Sequence, residues 1–327
     1  MLNVFLTVDT EVWPFSTDWP VKRTDFSEEI NNYLYGVTSV GSFGVPYQVA
    51  RLNKYGLKAT YFVEALFASV CGRAPLSNLV SLIKSNGQDA QLHIHTEWLG
   101  NIRDPGLPRQ PRRNIQQYSE VEQTAIIAAA LSNLRACGAT NLVAFRAGNF
   151  GANPDTLRAL RNNGILFDSS HNTCYLSTTC DMSSLGWLVQ PRMIEGVTEI
   201  PISFFSDYPN HFRHAQLGAC SFAELREALL WAWRASWRSF VIVLHSYELV
   251  RNHFRPGGNI APNRMVISRF EKLCQFLDRH RDKFRTTLFS EIEPAMLLGQ
   301  EDSVDYFRSS LHRTAYRYGE QLLGKFL

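Results

Sequence analysis

Seven short runs of aliphatic, β-branched and aromatic residues recur along the chain, and stretches with helical spacing fall between them. The runs are Leu2–Val8, Lys58–Val63, Gln91–Thr96, Leu142–Ala147, Gly164–Ser169, Thr198–Ser203 and Phe240–His245. Several are continuously apolar, as expected of strands covered on both faces in a parallel sheet. The intervening helices are expected at Pro46–Tyr55, at Leu76–Ser85 before the stop signal Asn86-Gly87, and at Tyr118–Cys137 before Gly138. Another starts at Asn153-Pro154-Asp155, with Asn as N-cap and Pro at the first helical position. Ser221 and Glu224 form a capping box ahead of Leu225–Arg234, and Arg264–His280 is amphipathic. Strand–helix alternation of this kind calls for right-handed crossovers and a parallel sheet. With about seven units in 327 residues, the expected fold is α/β: a closed or nearly closed, distorted (β/α) barrel with C-terminal helices.

The barrel is expected over residues 1–300 and a helical extension over 301–327. From Asp302 onward, Val304, Phe307, Leu311, Tyr316 and Leu322 can share one side of a helix, which would pack on the barrel or on another subunit. Arg308, His312, Arg313, Arg317 and Lys325 leave a membrane-surface helix as the other reading. A net charge of +3 gives no basic stripe of the kind nucleic-acid binders carry. The densest cluster, Arg109 to Arg113, sits among prolines and reads as a solvated loop. Met1 to Asp9 lacks the positive start of a signal peptide, and no run reaches the roughly 18 apolar residues of a membrane span. A cytoplasmic location is therefore expected. The six cysteines show no CxxC spacing and read as reduced packing residues, with a Cys174–Cys180 pair or metal site as the alternative. Nothing in the sequence sets the oligomeric state.

Ionisable residues fall where the strands end. The first run leads into Asp9 and Glu11, the second into Glu64, and the third carries His93, His95 and Glu97. Arg146, Asp168 and His245 close three of the others. In barrel enzymes this rim carries the catalytic groups, and so many charges buried together need a metal or a network of ion pairs. Residues i and i+2 of a strand face the same way, so His93 and His95 can aim two imidazoles at one point. Asp9 and Glu11 can do the same with two carboxylates. Two imidazoles and one carboxylate would make a three-ligand site with an open position for water. Taken singly, Arg146 reads equally well as a salt-bridge partner, Asp168 as a turn cap beside Ser169, Ser170 and Asn172, and His245 as a core histidine.

In order along the chain, LTVDTE at 6–11, LKATYFV at 57–63, DAQLHIHTEWL at 89–99, FRAGNFGAN at 145–153, FDSS at 167–170, TEIPIS at 198–203 and VLHS at 243–246 resemble the motifs of polysaccharide deacetylases of the NodB-homology type. The resemblance spans about residues 2–250. It implies a carbohydrate-esterase activity that removes N- or O-acetyl groups from a polysaccharide or glycan precursor, with a divalent metal, most often Zn2+, and a metal-bound water as nucleophile. It implies Asp9 as general base, Glu11 and His93 as metal ligands, Arg146 as the group that holds Asp9, His245 as general acid, and Asp168 as the residue that tunes His245. The chain departs from the pattern in three places. One residue separates the two acids, Glu97 stands where a second histidine is usual, and Gly148 stands where proline is common. The third ligand is therefore His95 or Glu97. A same-fold metal hydrolase of small amides and a non-catalytic carbohydrate-binding relative are the alternatives. Amidohydrolase barrels also use a His-x-His pair, but it closes their first strand, whereas here it closes the third. Trp13, Trp19, Trp98 and Phe150 follow strand ends, where they could stack on pyranose faces.

Overall fold

The computed structural model describes residues 1–15, 20–22, 25–252, 254, 256–299 and 305–323. Trp19, Asp302, Val304 and Lys325, which entered the sequence expectations, lie outside the described residues.

The main sheet has nine strands: β1 (Leu2–Thr10), β2 (Ala59–Glu64), β3 (Asp89–Ile94), β4 (Ala144–Ala147), β5 (Phe167–Asp168), β6 (Arg192–Ile194), β7 (Val197–Glu199), β10 (Ser239–His245) and β11 (Phe284–Thr286). A separate hairpin supplies β8 (Phe204–Tyr208) and β9 (His211–His214). The sheet order is β10-β1-β2-β3-β4-β5-β7-β6, parallel throughout except for the β6–β7 pair. One edge of β1 is shared: Leu2–Val4 pair with β11 and Leu6–Thr10 with β2.

A strand forms within each of the seven expected runs, although the fifth shrinks to Phe167–Asp168 and the sixth keeps only Thr198 and Glu199 of its expected span. The barrel does not close by strand pairing. The sheet curls into a half-barrel, and residues 215–217, which follow the β8–β9 hairpin, lie along the free edge of β10, where Leu217 N–H donates to the Val243 carbonyl at 3.0 Å and Val243 N–H to the Ala215 carbonyl at 2.8 Å.

The crossover helices are α1 (Val45–Lys54), α2 (Arg73–Ser85), α3 (Glu120–Ala136), α4 (Pro154–Asn162), α5 (Phe222–Arg234) and α6 (Arg264–Arg279). Three start as their caps dictate. Ser119 pairs reciprocally with Glu122, Asn153 with Thr156, and Ser221 with Glu224.

Side-chain alternation divides the core in two. On β1, Leu2, Val4, Leu6 and Val8 join a large cluster with helix residues such as Leu79, Ile126, Leu229 and Leu273. Phe5 turns the other way and joins Phe62, Ala144, Phe167, Ile200, Val241 and Val243 inside the half-barrel. The Phe289 ring plugs that interior, 4.8 Å from Phe5 and 5.4 Å from Phe62 between ring centroids. Along the same inward face each strand then changes character. Phe5 gives way to Thr7 and Asp9, Phe62 to Glu64, Gln91 to His93, Ala144 to Arg146, and Val243 to His245. The apolar plug thus sets the floor on which the ionisable groups stand.

A last helix, α7 (Leu311–Leu323), follows the main body. Its apolar side does not pack on the barrel, one of the two expected partners. Leu311, Tyr316 and Leu322 are exposed, whereas Thr314 and Arg317 are buried. Arg317 Nη2 lies 2.7 Å from Asp207 Oδ2 and its Nε 3.1 Å from Glu224 Oε1, while the Thr314 hydroxyl donates to the Asp207 carbonyl. The helix docks through polar chemistry because β8 and α5 offer buried carboxylates at that spot. Phe307, ahead of the helix, does pack inward, with its ring 5.9 Å from that of Phe205. All six cysteines, including Cys174 and Cys180, are free thiols. Among the described residues no helix is long and apolar enough to cross a membrane.

Candidate metal-binding active site

Strand β1 runs to Thr10, so Asp9 and the following Glu11 project to the same side. The residue between the two acids is what puts both of them inward. Strand β3 ends at Ile94, but His95 keeps an extended backbone (φ −108°, ψ 111°), so the i, i+2 alternation carries through from His93. The two imidazoles come together with centroids 4.9 Å apart. Glu11 Oε1 lies 3.2 Å from His93 Nε2 and 3.1 Å from His95 Nε2. Tetrahedral ligands about 2.0 Å from a zinc ion sit about 3.3 Å apart, so these spacings suit one ion held by all three atoms.

The surroundings aim the donors. His93 Nδ1 is 2.7 Å from the Arg146 carbonyl oxygen, which makes that nitrogen the protonated one and leaves Nε2 with its lone pair toward Glu11. Glu11 Oε2 accepts from the Trp13 indole N–H at 2.7 Å and from the Tyr247 hydroxyl at 3.3 Å, which leaves Oε1 for the cluster. Glu64, fully buried, accepts from the backbone N–H groups of His95 and Leu66 and pins the turn at the strand end. Burial pushes the Glu64 pKa up to about 8. Both ring nitrogens of His95 are buried without a hydrogen-bond partner. Nε2 is close to Glu11 but not aligned for a bond, and Nδ1 is 3.6 Å from Glu97 Oε2. Burial disfavours the charged forms of this pair, but their mutual attraction outweighs it: Glu11 is held well below the usual carboxylate range and His95 well above the usual imidazole value. Orphaned buried nitrogens on a histidine facing a carboxylate and a second histidine fit a cation-binding site.

Gly148 is explained by the same histidine. A Cβ there would fall 2.5 Å from His95 Nδ1 and 2.7 Å from the Ile94 carbonyl oxygen. The His95 ring occupies the space that any larger residue at 148 would need.

Asp9 belongs to a second unit. Arg146, fully buried, donates through Nη1 to Asp9 Oδ1 at 2.6 Å and to the Thr7 hydroxyl at 2.8 Å. Its Nε donates to the Ser169 carbonyl and its Nη2 to the Ser169 hydroxyl, while the guanidinium lies 4.4 Å over the Phe62 ring. Every face of the cation is satisfied, and Asp9 is fixed. Asp9 pairs in register with His245 across β1 and β10. His245 Nδ1 is 2.9 Å from Glu248 Oε1, so Nε2 is the atom that faces Glu11, at 3.9 Å. Burial works against a charged ring, but the Glu248 hydrogen bond and the nearby acids lift the His245 pKa to about 9. Asp9, Glu11 and His245 form a second grouping close enough to share an ion. In that grouping, Asp9 is engaged by Arg146 and His245 by Glu248, whereas His95 in the first grouping faces Glu11 and Glu97 without an aligned hydrogen bond.

Two sequence expectations are corrected. Glu97 does not join the ligand atoms. The chain turns into a 3-10 helix at Thr96–Asn101, which carries position 97 off the strand face and leaves Glu97 behind His95, on its far nitrogen. Asp168 does not reach His245. It is wholly buried on β5, accepts from the Ser170 hydroxyl at 2.6 Å, and pairs across the sheet with Glu199 of β7. Burial and the neighbouring carboxyl push Glu199 well above its usual range, and burial raises Asp168. The acid at His245 is Glu248, which sequence reasoning missed; its signal was the position three residues beyond the histidine, within the turn that leaves β10.

These groups open into a cleft of about 450 Å³ whose lining includes Asp9, Glu11, His95, His245, Trp13 and Phe150. Of the aromatics expected near strand ends, Trp13 and Phe150 reach it, while Trp98 is buried in the core against Phe26.

No family profile and no curated protein matches the sequence. Among solved structures, the chain is similar to a protein of Mycobacterium smegmatis assigned as a polysaccharide deacetylase, with TM-score 0.50 and 17% identity over 88% of this chain and 86% of that one. It is also similar to a family 4 carbohydrate esterase from Streptomyces lividans, solved with acetate (TM-score 0.43, 14% identity, 90% of this chain and 95% of that one). A CE4 family pseudoenzyme from Bacillus anthracis is a further match (TM-score 0.41, 10% identity, 87% of this chain and 63% of that one). The fold is the NodB-like distorted barrel of the polysaccharide deacetylases.

Proposed function

We propose that the chain is a divalent-metal-dependent deacetylase that removes N- or O-acetyl groups from a glycan, on a barrel of residues 1–300 with a helical extension over 301–327. The observation that carries this reading is the convergence of Glu11 Oε1, His93 Nε2 and the orphaned His95 Nε2, beside an Asp9–Arg146 pair and a Glu248-held His245.

Glu11, His93 and His95 would hold the ion, and two imidazoles with one carboxylate and an open position are a donor set suited to zinc. Once held there, the ion would polarise the acyl oxygen and make a coordinated water more acidic. The other roles fall to the chain's own groups. Asp9 takes the proton from the attacking water as its oxygen bonds to the acyl carbon, and Arg146 keeps Asp9 aimed. His245, protonated at neutral pH, gives the Nε2 proton to the leaving nitrogen or oxygen as its bond to the acyl carbon breaks. The products are the free amine or hydroxyl and acetic acid, which releases its proton to solvent as acetate, and transfer of the proton from Asp9 back to His245 restores both groups. Glu248 fixes the His245 tautomer and ring angle, and Glu97 backs His95. Asp168 has no part in the chemistry and joins Glu199 in a buried pair.

The test is elemental analysis of the purified protein together with acetate release from N-acetylated oligosaccharides, with and without a chelator. About one metal per chain and chelator-sensitive release are expected. Asp9→Asn is expected to abolish turnover with the metal retained, and Glu11→Gln to lose the metal. Loss of metal on Asp9→Asn would show that the two acids have exchanged roles.

A further inference from the structure

One part of the cleft lining takes no part in the proposed chemistry. Tyr175, Phe150 and His214 come from three separate segments: a 3-10 turn at Thr173–Tyr175, the loop after β4, and the end of β9. Phe150 and Tyr175 are stacked, with centroids 5.5 Å apart and an interplanar angle of 23°. The His214 ring meets both, at 5.9 Å from Phe150 and 5.5 Å from Tyr175.

The backbone is committed to this arrangement. Asn149 and Phe150 both take left-handed conformations, with φ of 55° and 56°. Non-glycine residues adopt that region at a cost, and such positions gather at functional sites. Asn149 Nδ2 donates to Asn114 Oδ1 at 3.1 Å, and Gly151 lies so close to Asn114 that a Cβ would meet it at 2.6 Å. Phe150 is thereby turned to the cleft. Tyr175 remains 37% exposed, a flat ring open to a ligand.

His214 adds a polar atom of defined character. Glu248 only accepts, so Gln216 Nε2 must be the donor to Glu248 Oε1, which points Gln216 Oε1 at His214 Nε2, 2.9 Å away. His214 Nε2 therefore carries the proton, and Nδ1 is left as an acceptor. Burial, ahead of all else, lowers the His214 pKa to about 4, so that nitrogen keeps its lone pair at neutral pH.

We propose that Tyr175 and His214, backed by Phe150, form a sugar subsite that selects a pyranose-bearing substrate over a small acetyl compound. The carbon face of a pyranose would lie on the Tyr175 ring, and a hydroxyl of the sugar would donate to His214 Nδ1. Aromatic rings with a few placed polar atoms are what a ligand cleft uses to orient a ligand. This inference rests on the glycan-deacetylase reading, since it names the residues that would make a glycan the preferred substrate.

The test compares the N-acetylglucosamine tetramer with 4-nitrophenyl acetate. Tyr175→Ala is expected to raise KM for the tetramer roughly 3- to 10-fold, the range an aromatic face contact supports. The ratio of kcat/KM for the tetramer to that for 4-nitrophenyl acetate falls with it. Tyr208→Ala, which removes an equally exposed ring that stacks on His211 and does not line the cleft, is the control and is expected to keep the ratio. His214→Phe keeps a ring and deletes the acceptor, and its expected result is also a fall in the ratio. An equal loss on both substrates in His214→Phe would mean that His214 acts through Gln216 and Glu248 and would overturn its subsite role. An unchanged ratio in Tyr175→Ala would overturn the subsite. Calorimetric binding of the tetramer separates this outcome from failure of the deacetylase reading. Wild-type binding that weakens in Tyr175→Ala upholds the subsite even if no acetate is released, and absence of wild-type binding overturns it.

Discussion

Two of the buried charge clusters among the described residues are finished differently. In one, Asp207 of β8 is met by Arg317 of α7 and Arg213 of β9, and Arg317 reaches Glu224 of α5 as well. Its acids and cations are matched within the chain. In the other, Glu11 faces two histidines, one of which has no hydrogen bond on either nitrogen. Burying charge is costly in both places. A cluster that meets the cost internally is a joint that fastens one element to another. A cluster left incomplete at the mouth of a cleft is a place where something else binds.

The largest effect that separates them is expected at Arg317. Its replacement by alanine leaves Asp207 and Glu224 short of a partner in places from which water is excluded. The expected loss is about 3 kcal/mol of stability, read by denaturant unfolding, with metal content unchanged. If metal is lost as well, the two clusters are not independent. Gly148→Ala attacks the other cluster through its shape. The added methyl collides with the His95 ring and a backbone carbonyl, for a cost of about 1–3 kcal/mol. Displacement of His95 should also weaken metal binding; full metal affinity in this variant would show that His95 is not a ligand. Glu97→Gln is the subtler probe. It keeps the shape and removes the charge behind His95, so metal affinity is expected to fall by about 10- to 100-fold while thermal stability of the metal-free protein holds.

Both clusters lie on elements of different legibility. The strand–helix alternation and the acids and histidines at strand ends could be read directly, because an inward position and its chemistry recur every second residue. The same periodicity favoured His95, since extended backbone at that position keeps it in step with His93. Glu97 was ambiguous because four residues lead inward only if the strand continues, and here a 3-10 turn intervenes. Asp168 and Glu199 face each other only through the register of β5 and β7, which the sequence does not reveal. The hairpin that supplies Asp207 and His214 lies in a stretch without strong alternation. Helix α7 was read by its apolar stripe, yet it docks by the opposite principle: a buried arginine outweighed exposed leucines because carboxylates were waiting for it.

A third group of buried imidazoles sharpens the contrast. His95 and His245 have acids beside them and are lifted above the usual imidazole value. No acid bonds the His171 ring, because the Glu199 carboxyl meets only the backbone N–H of that residue: its Nε2 is 3.0 Å from the Gly186 carbonyl oxygen, its Nδ1 has no partner, and burial lowers its pKa to about 4. Unfolded, the same ring titrates near its ordinary 6.5. Between those values the unfolded chain holds a proton that the folded chain does not, so stability falls as pH falls. The His171 contribution is complete above about pH 6.5 and is lost progressively toward pH 4, with a slope of about 1.4 kcal/mol per pH unit. His214 titrates in the same window, and the raised Asp168 and Glu199 act in the opposite sense. A difference measurement therefore isolates the ring: His171→Gln should lose that slope relative to the wild type, with the two stability curves converging as the pH is lowered. Parallel curves from pH 7 to pH 4 would mean that His171 is protonated in the folded state, and that burial without an acid does not keep an imidazole neutral here.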